Sequence, residues 1–369
     1  TDVSRMVMWR RTTTMTDATA IPANIVGIPD GAMLQNLMGQ INGNPGPRQV
    51  PGRTIPVPTS VSADLQTAIA MPYRNSEWLL NPPDAQGWKD AVADLADHST
   101  PAIEQIIDKF GVTVESTEIA GVPVFIVTPA QIPARNTNRL MVNTHGGAYV
   151  FNPGRASLLE PAVIAATCGI KVIEVDYRMP PEHPFPAASD DAIAVWKAAL
   201  DMVPAANIGI SGGSAGGGLA LSTVLRAKQE GITPPAAVAV QTPWCDLAPV
   251  GDSLKVHEWV DNVLITYDAV GARGAALYAG DNDIANPLLS PLRGDVSGFP
   301  PTMLVSGTRD LLLSQSVLMH RKLRKAGVHA ELHLVEGASH FTYFIEPFAE
   351  ESQDIFGEMA RFLDTHLGS

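Results

Sequence analysis

The chain is poor in cysteine: Cys168 and Cys245 are the only two in 369 residues. Two thiols cannot build a disulfide framework, and each lies in an apolar segment, so both read as buried free thiols. Charge is also sparse, at 17% of residues, with 25 basic against 38 acidic side chains. The resulting −13 disfavours nucleic acid and acidic membrane surfaces as partners. No apolar run approaches the roughly 18 residues of a membrane-spanning helix, which argues against stable membrane insertion. Thr1-Asp2-Val3 lacks the charged-then-apolar pattern of a leader, which a processed mature end would lack too; the expected location is cytoplasmic, with a processed periplasmic or secreted form as the alternative.

Apolar residues, by contrast, make up 45% of the chain, enough for a large ordered core in one big domain or two. Glycine (31) and proline (30) are unevenly spread. Residues 20–60 are rich in Pro, Gly, Asn and Thr, with short helical patches following at Ser62 to Met71 and Trp88 to Ala96. Such a stretch builds no sheet of its own, and 1–110 reads as an arm and cap helices packed on another body. From Val112 onward the texture changes to alternating strands and helices. Short apolar runs occur at Val112–Ile119, Val122–Val127, Leu140–Thr144, Val172–Val175, Ile208–Ser211, Ala237–Gln241, Met303–Ser306 and Ala330–Val335. Helical patterns at 156–167, 188–200, 215–229, 313–326 and 348–366 separate them. The rhythm predicts an α/β domain over 111–369, a mostly parallel central sheet flanked by helices. Residues 251–298 interrupt it with a strandless insertion, read as part of the cap.

The most informative segment is Ile208 to Leu225: an apolar strand, the turn Gly212-Gly213-Ser214-Ala215-Gly216, then a helix. This matches G-x-S-x-G, the elbow that lifts a serine hydroxyl above a sheet. An overlapping match centred on Ser211 is followed by two glycines, poor helix starters, so Ser211 reads as structural packing at the strand end. Phosphate binding is disfavoured, because no Lys-Ser or Lys-Thr follows the glycines and the spacing is not that of a dinucleotide fingerprint.

A serine nucleophile needs a base and an orienting acid, arriving in chain order Ser, acid, His on loops after strands. Of the later histidines, only His340 stands in a loop just past a strand end. Asp310 follows the preceding strand; a helix N-cap is the plainer reading of a lone Asp there, and its placement favours the catalytic one. Backbone donors for an oxyanion are expected at Gly146, Gly147 and Ala148, after an early strand, and at Ala215, which opens the helix. Ala148 fits such a loop if its φ is negative, and His145 reads as a structural hydrogen-bonding residue. Trp244, Phe341, Tyr343 and Phe344 are candidates for an apolar substrate pocket, with plain core packing as the alternative.

These pieces together resemble the bacterial hormone-sensitive-lipase-like branch (family IV) of the α/β-hydrolases. The matching motifs are His145-Gly146-Gly147-Ala148, the run Asp176 to Ala188, Gly212 to Gly217, Gln241-Thr242-Pro243-Trp244 and Ser290-Pro291-Leu292. The resemblance implies a helical cap over the sheet, a small-molecule ester substrate, and hydrolysis without metal or cofactor. It assigns Asp176, Arg178 and Glu182 to a charge-paired structural turn. Pairing of two copies through the edge strand, where Leu332 and Leu334 stand, is compatible with it. The residue before the nucleophile, commonly Asp or Thr in that family, is Gly213 here. The expected activity is a serine carboxylesterase acting on short- to medium-chain esters. Amide or peptide hydrolysis by the same triad is the enzymatic alternative. A non-catalytic binding module is the other, and usually goes with a lost triad member.

Overall fold

The computed structural model describes residues 47, 50, 52–73, 82 and 84–368. Most of the Pro- and Gly-rich arm expected over 20–60 therefore lies outside the described residues. Eight strands form one sheet: β1 (Thr113–Ile119), β2 (Val122–Thr128), β3 (Leu140–Thr144), β4 (Lys171–Val175), β5 (Ile208–Gly213), β6 (Ala237–Gln241), β7 (Thr302–Gly307) and β8 (Ala330–Val335). Their spatial order is β1-β2-β4-β3-β5-β6-β7-β8. The hairpin strand β2 is antiparallel to β1 and β4, and every pair from β4 through β8 is parallel.

The central strands are buried on both faces, which is why they read as continuous apolar runs. Alternate residues feed two cores. Val142, Val238, Val240 and Leu304 join one; Met141, Ala237, Ala239, Met303 and Val305 join the other. The helices are α1 (Ala63–Ala70), α2 (Ala85–Phe110), α3 (Leu159–Cys168), α4 (Ala187–Ala199), α5 (Ala215–Glu230), α6 (Ala272–Ala279), α7 (Leu313–Lys325) and α8 (Glu350–His366), with shorter turns between them. α4, α5 and α7 cover the first face; α1, α3, α8 and the C-terminal half of α2 cover the second. Ser62 caps α1 and also binds Glu351 of α8 through both its N–H and its hydroxyl, each at 2.6 Å.

One helix is longer than the sequence suggests. The patch at Trp88 to Ala96 is part of α2, which starts at an Asp84 cap, passes through Pro101 and ends at left-handed Gly111. Proline usually breaks a helix interior because it removes an N–H and crowds the previous turn. Here the hydroxyls of Ser99 and Thr100 both donate to the Ala96 carbonyl just before the proline. Ile103 and Ile107 beyond it are buried in the core, so packing holds the second half of the helix.

The parallel strands all end at the same edge of the sheet. Between β3 and β5 the strand order reverses: the chain leaves β3 for β4 on one side, then returns to β5 on the other. Loops leaving the two strands diverge and open a crevice, the usual ligand position in such sheets.

Candidate active site

Ser214 occupies the crevice. It has φ 54° and ψ −120°, between the end of β5 and the first residue of α5. A non-glycine residue persists in that conformation only where its surroundings over-determine it. Close packing does so here, since a Cβ on Gly216 would lie 1.8 Å from the Thr144 carbonyl oxygen of β3. Ser211 is fully buried, and its hydroxyl donates to Asn143 Oδ1 at 2.7 Å, so it has the structural role expected of it.

The loops after β7 and β8 bring Asp310 and His340 to Ser214. Asp310 is fully buried. Its Oδ2 accepts from the Ser306 hydroxyl at 2.6 Å, and its Oδ1 from the Leu312 N–H and from His340 Nδ1, both at 2.9 Å. The Leu312 bond lies ahead of α7, whose N-cap is Leu312 itself, so Asp310 turns the chain before the helix rather than capping it. His340 Nε2 lies 2.9 Å from Ser214 Oγ. With the Nδ1 proton directed at Asp310, Nε2 is left to accept the serine proton. Burial works to raise the Asp310 carboxyl, but the neighbouring imidazole and these hydrogen bonds together hold it below the usual carboxylate range. The ring of His257, another histidine that follows Ser214 in the chain, meets the Asp310 backbone carbonyl through its Nδ1.

Sequence reasoning missed two residues here. Thr242 Oγ1 stands 2.5 Å from the same Nδ1, so one N–H faces two acceptors. Asp261, fully buried in the strandless insertion, gathers four backbone N–H groups. Val263 and Leu264 donate to one oxygen, Leu311 and His340 to the other. It thereby ties the insertion to both loops that present Asp310 and His340. Thr242 stands in the Gln241-Thr242-Pro243-Trp244 motif, but its partner is distant in the chain; Asp261 carries no sequence signal, because its partners are backbone groups.

The loop after β3 corrects two expectations. Gly146 N–H is not free: it donates to Glu160 Oε1 at 2.6 Å. Among the described residues, the N–H groups of Gly147, Ala148 and Ala215 have no protein acceptor. Ala148, which would fit such a loop readily at negative φ, has φ +54° instead, followed by Tyr149 at +63°. The turn demands this because Val150 and Phe151 N–H both fold back onto the Gly147 carbonyl. Holding an alanine there costs about 1–2 kcal/mol. His145 is buried against Tyr177, their rings stacked at 4.2 Å, and its Nδ1 bonds the Gly146 carbonyl.

A cavity of about 80 Å³ opens over Ser214, His340 and the Gly146–Ala148 loop. Trp244 and Phe341 line it, as expected, while Tyr343 and Phe344 are packed in the core. Val263, Leu264, Thr266, Tyr267 and Val270 from the insertion form another wall. Beyond Asn152, Glu160 and Phe341, which border both spaces, lies a second cavity of about 370 Å³ against α2. The charges of the Asp176–Glu182 turn pair outside the turn rather than within it. Arg178 binds Asp191 at 2.7 Å, Glu182 meets Lys89, and Asp176 accepts Gly154 N–H. Among the described residues, His329, Glu331 and His366 bring metal-ligand atoms within 4.8 Å of one another. They lie about the start of β8, remote from His340. No helix among the described residues is long and apolar enough to cross a membrane.

Known proteins resemble this chain in sequence and in fold. Residues 141–344 match the family described as alpha/beta hydrolase fold. An acetyl-hydrolase of Streptomyces hygroscopicus is 30% identical over 237 residues, 64% of this chain and 79% of that protein. An esterase of Acinetobacter venetianus is 32% identical over 236 residues, covering 62% and 77%. Among solved structures, esterase E25 superposes with a TM-score of 0.84 at 38% identity, covering 87% of this chain and 99% of that one. An esterase of the bacterial hormone-sensitive lipase family gives 0.68 at 25% identity, covering 84% and 100%. With a parallel sheet, a strand-to-helix serine and relatives of this kind, the chain belongs to the hormone-sensitive-lipase-like carboxylic ester hydrolases of the α/β-hydrolase fold.

Proposed function

We propose that Ser214 is the nucleophile, His340 the general base and acid, and Asp310 the orienting carboxylate in hydrolysis of short- to medium-chain acyl esters. The chain of hydrogen bonds from Ser214 Oγ through His340 to Asp310, each 2.9 Å, carries this reading. Ser214 Oγ attacks the ester carbonyl carbon as its proton passes to Nε2. The negative charge on the carbonyl oxygen is received by the Gly147, Ala148 and Ala215 N–H groups. Collapse breaks the bond to the alkoxy oxygen, which takes the Nε2 proton and leaves as the alcohol. Water, deprotonated by the same nitrogen, then releases the acid and restores Ser214.

The small cavity over Ser214 favours a short acyl group, and the likeness to an acetyl-hydrolase points the same way. The insertion 251–298 and helices α1 and α2 serve as the cap, the insertion supplying one wall of the pocket. The edge of β8, where Leu334 is exposed, is where two copies would pair. A cytoplasmic location goes with this reading, since Cys168 and Cys245 are both free.

Ser214→Ala lowers kcat by roughly 10⁵–10⁶ in a p-nitrophenyl ester assay. Near-full activity in that variant, with loss in Ser211→Ala, overturns the assignment. Across esters of rising chain length, kcat/KM falls by roughly tenfold or more between butyryl and dodecanoyl; a flat profile removes the short-chain reading.

A further inference from the structure

Glu160 takes no part in the reaction just described, yet it touches both halves of the machinery. It is the one charged side chain in the run Leu158-Leu159-Glu160-Pro161-Ala162-Val163-Ile164. It stands in the first turn of α3 and is 3% exposed. Its Oε1 accepts the Gly146 N–H at 2.6 Å and its Oε2 the Gly213 N–H at 2.8 Å. Gly146 immediately precedes the donors Gly147 and Ala148, and Gly213 immediately precedes Ser214. One carboxylate thus spans the crevice between the ends of β3 and β5.

We propose that Glu160 is a positioning residue: its carboxylate fixes the spacing between the oxyanion donors and Ser214, and its protonation releases that spacing. The proposal rests on the roles given above to Ser214 and the donors. An ionised carboxylate only accepts, so both N–H bonds are satisfied together. A neutral carboxyl carries an O–H on one oxygen, which weakens or evicts one of the two N–H groups.

Gly213 leaves this clamp unobstructed. A Cβ there would lie 2.2 Å from Phe341 Cε2 and 3.0 Å from Glu160 Oε2. The side chain missing before the nucleophile therefore leaves room for a carboxylate delivered from the neighbouring helix.

The surroundings place the titration where it matters. Burial pushes Glu160 up to about 7, against the two N–H bonds, the Asn143 amide and the nearby His340, which pull it down. Glu174 on β4 is pushed well above the carboxylate range by burial and by the Glu160 charge. Burial also raises Tyr177 and Tyr343 and lowers His145 at the end of β3. His98 of α2 lines the same second cavity. Of these groups His340 is the one that must lose its proton for turnover. Glu160 adds a second such requirement, so two protonations switch the enzyme off in acid.

The test is the acid limb of log kcat/KM against pH, with circular dichroism checking the fold at each pH. The wild type shows a limiting slope of about two, and Glu160→Gln a slope of about one. Glu160→Gln also loses roughly ten- to a hundredfold in kcat with KM changed by less than about threefold. Glu160→Asp, which keeps the charge, retains the steeper limb. A wild-type slope of about one with the fold intact overturns the proposal even if Glu160→Gln does not fold. So does a folded Glu160→Gln with wild-type kcat and slope. Activity surviving Ser214→Ala refutes the underlying assignment instead, and the two failures are separable.

Discussion

Glu160 and Asp261 are both buried carboxylates near Ser214 and His340, and both hold backbone N–H groups that the sheet leaves unpaired. Asp261 accepts four such bonds and borders neither cavity. Glu160 accepts two and borders both. Burial raises both, with the Asp310 charge adding to the effect at Asp261. A buried carboxylate is tolerated when N–H donors replace its lost water. The same device therefore serves two ends: a sealed knot that joins the insertion to the Asp310 and His340 loops, and a clamp that borders the cavity over Ser214.

Substitution of the carboxylates around His340 separates contact with the imidazole from support of its backbone. Asp310→Asn, which misorients the ring, lowers kcat by roughly 10⁴ in a steady-state ester assay. Equal loss in Asp261→Asn would erase the distinction. The expectation for Asp261→Asn is instead an unfolding free energy lower by about 2–4 kcal/mol in urea titration, because an amide cannot accept all four bonds.

Glu160 makes stability depend on pH in a stated sense. Its carboxyl titrates near 4.5 when unperturbed and about 7 in the folded protein. Between those values the folded state binds more protons than the unfolded one, so this group's contribution to stability falls as pH rises through that window. The full excursion is roughly 3 kcal/mol. Urea midpoints of wild type against Glu160→Gln at pH values spanning the window check it; parallel curves would contradict it. The smallest effect belongs to Ser211→Ala, which removes one buried hydrogen bond. It costs about 1 kcal/mol of stability and leaves kcat within about threefold.

Much of the fold was readable because buried parallel strands announce themselves as short apolar runs. All eight expected strands are present, three with the expected bounds and five with ends shifted by one or two residues. Ser214, Asp310 and His340 were legible because each follows a strand end, a property of chain order. α2 was half missed because Pro101 outweighed the core contacts of Ile103 and Ile107, which no local rule contains. The left-handed Ala148 was hidden because its conformation is set by Val150 and Phe151 folding back onto Gly147. Glu160 did leave a trace, as a lone charge in an apolar helix, but its partners at Gly146 and Gly213 are distant in sequence. Asp261 left none.

The contact between Gly213 and Glu160 also bears on descent. A β-carbon before the nucleophile would crowd both Phe341 and the carboxylate, so a side chain at 213 and a glutamate at 160 compete for one space, and the two positions should change together across relatives.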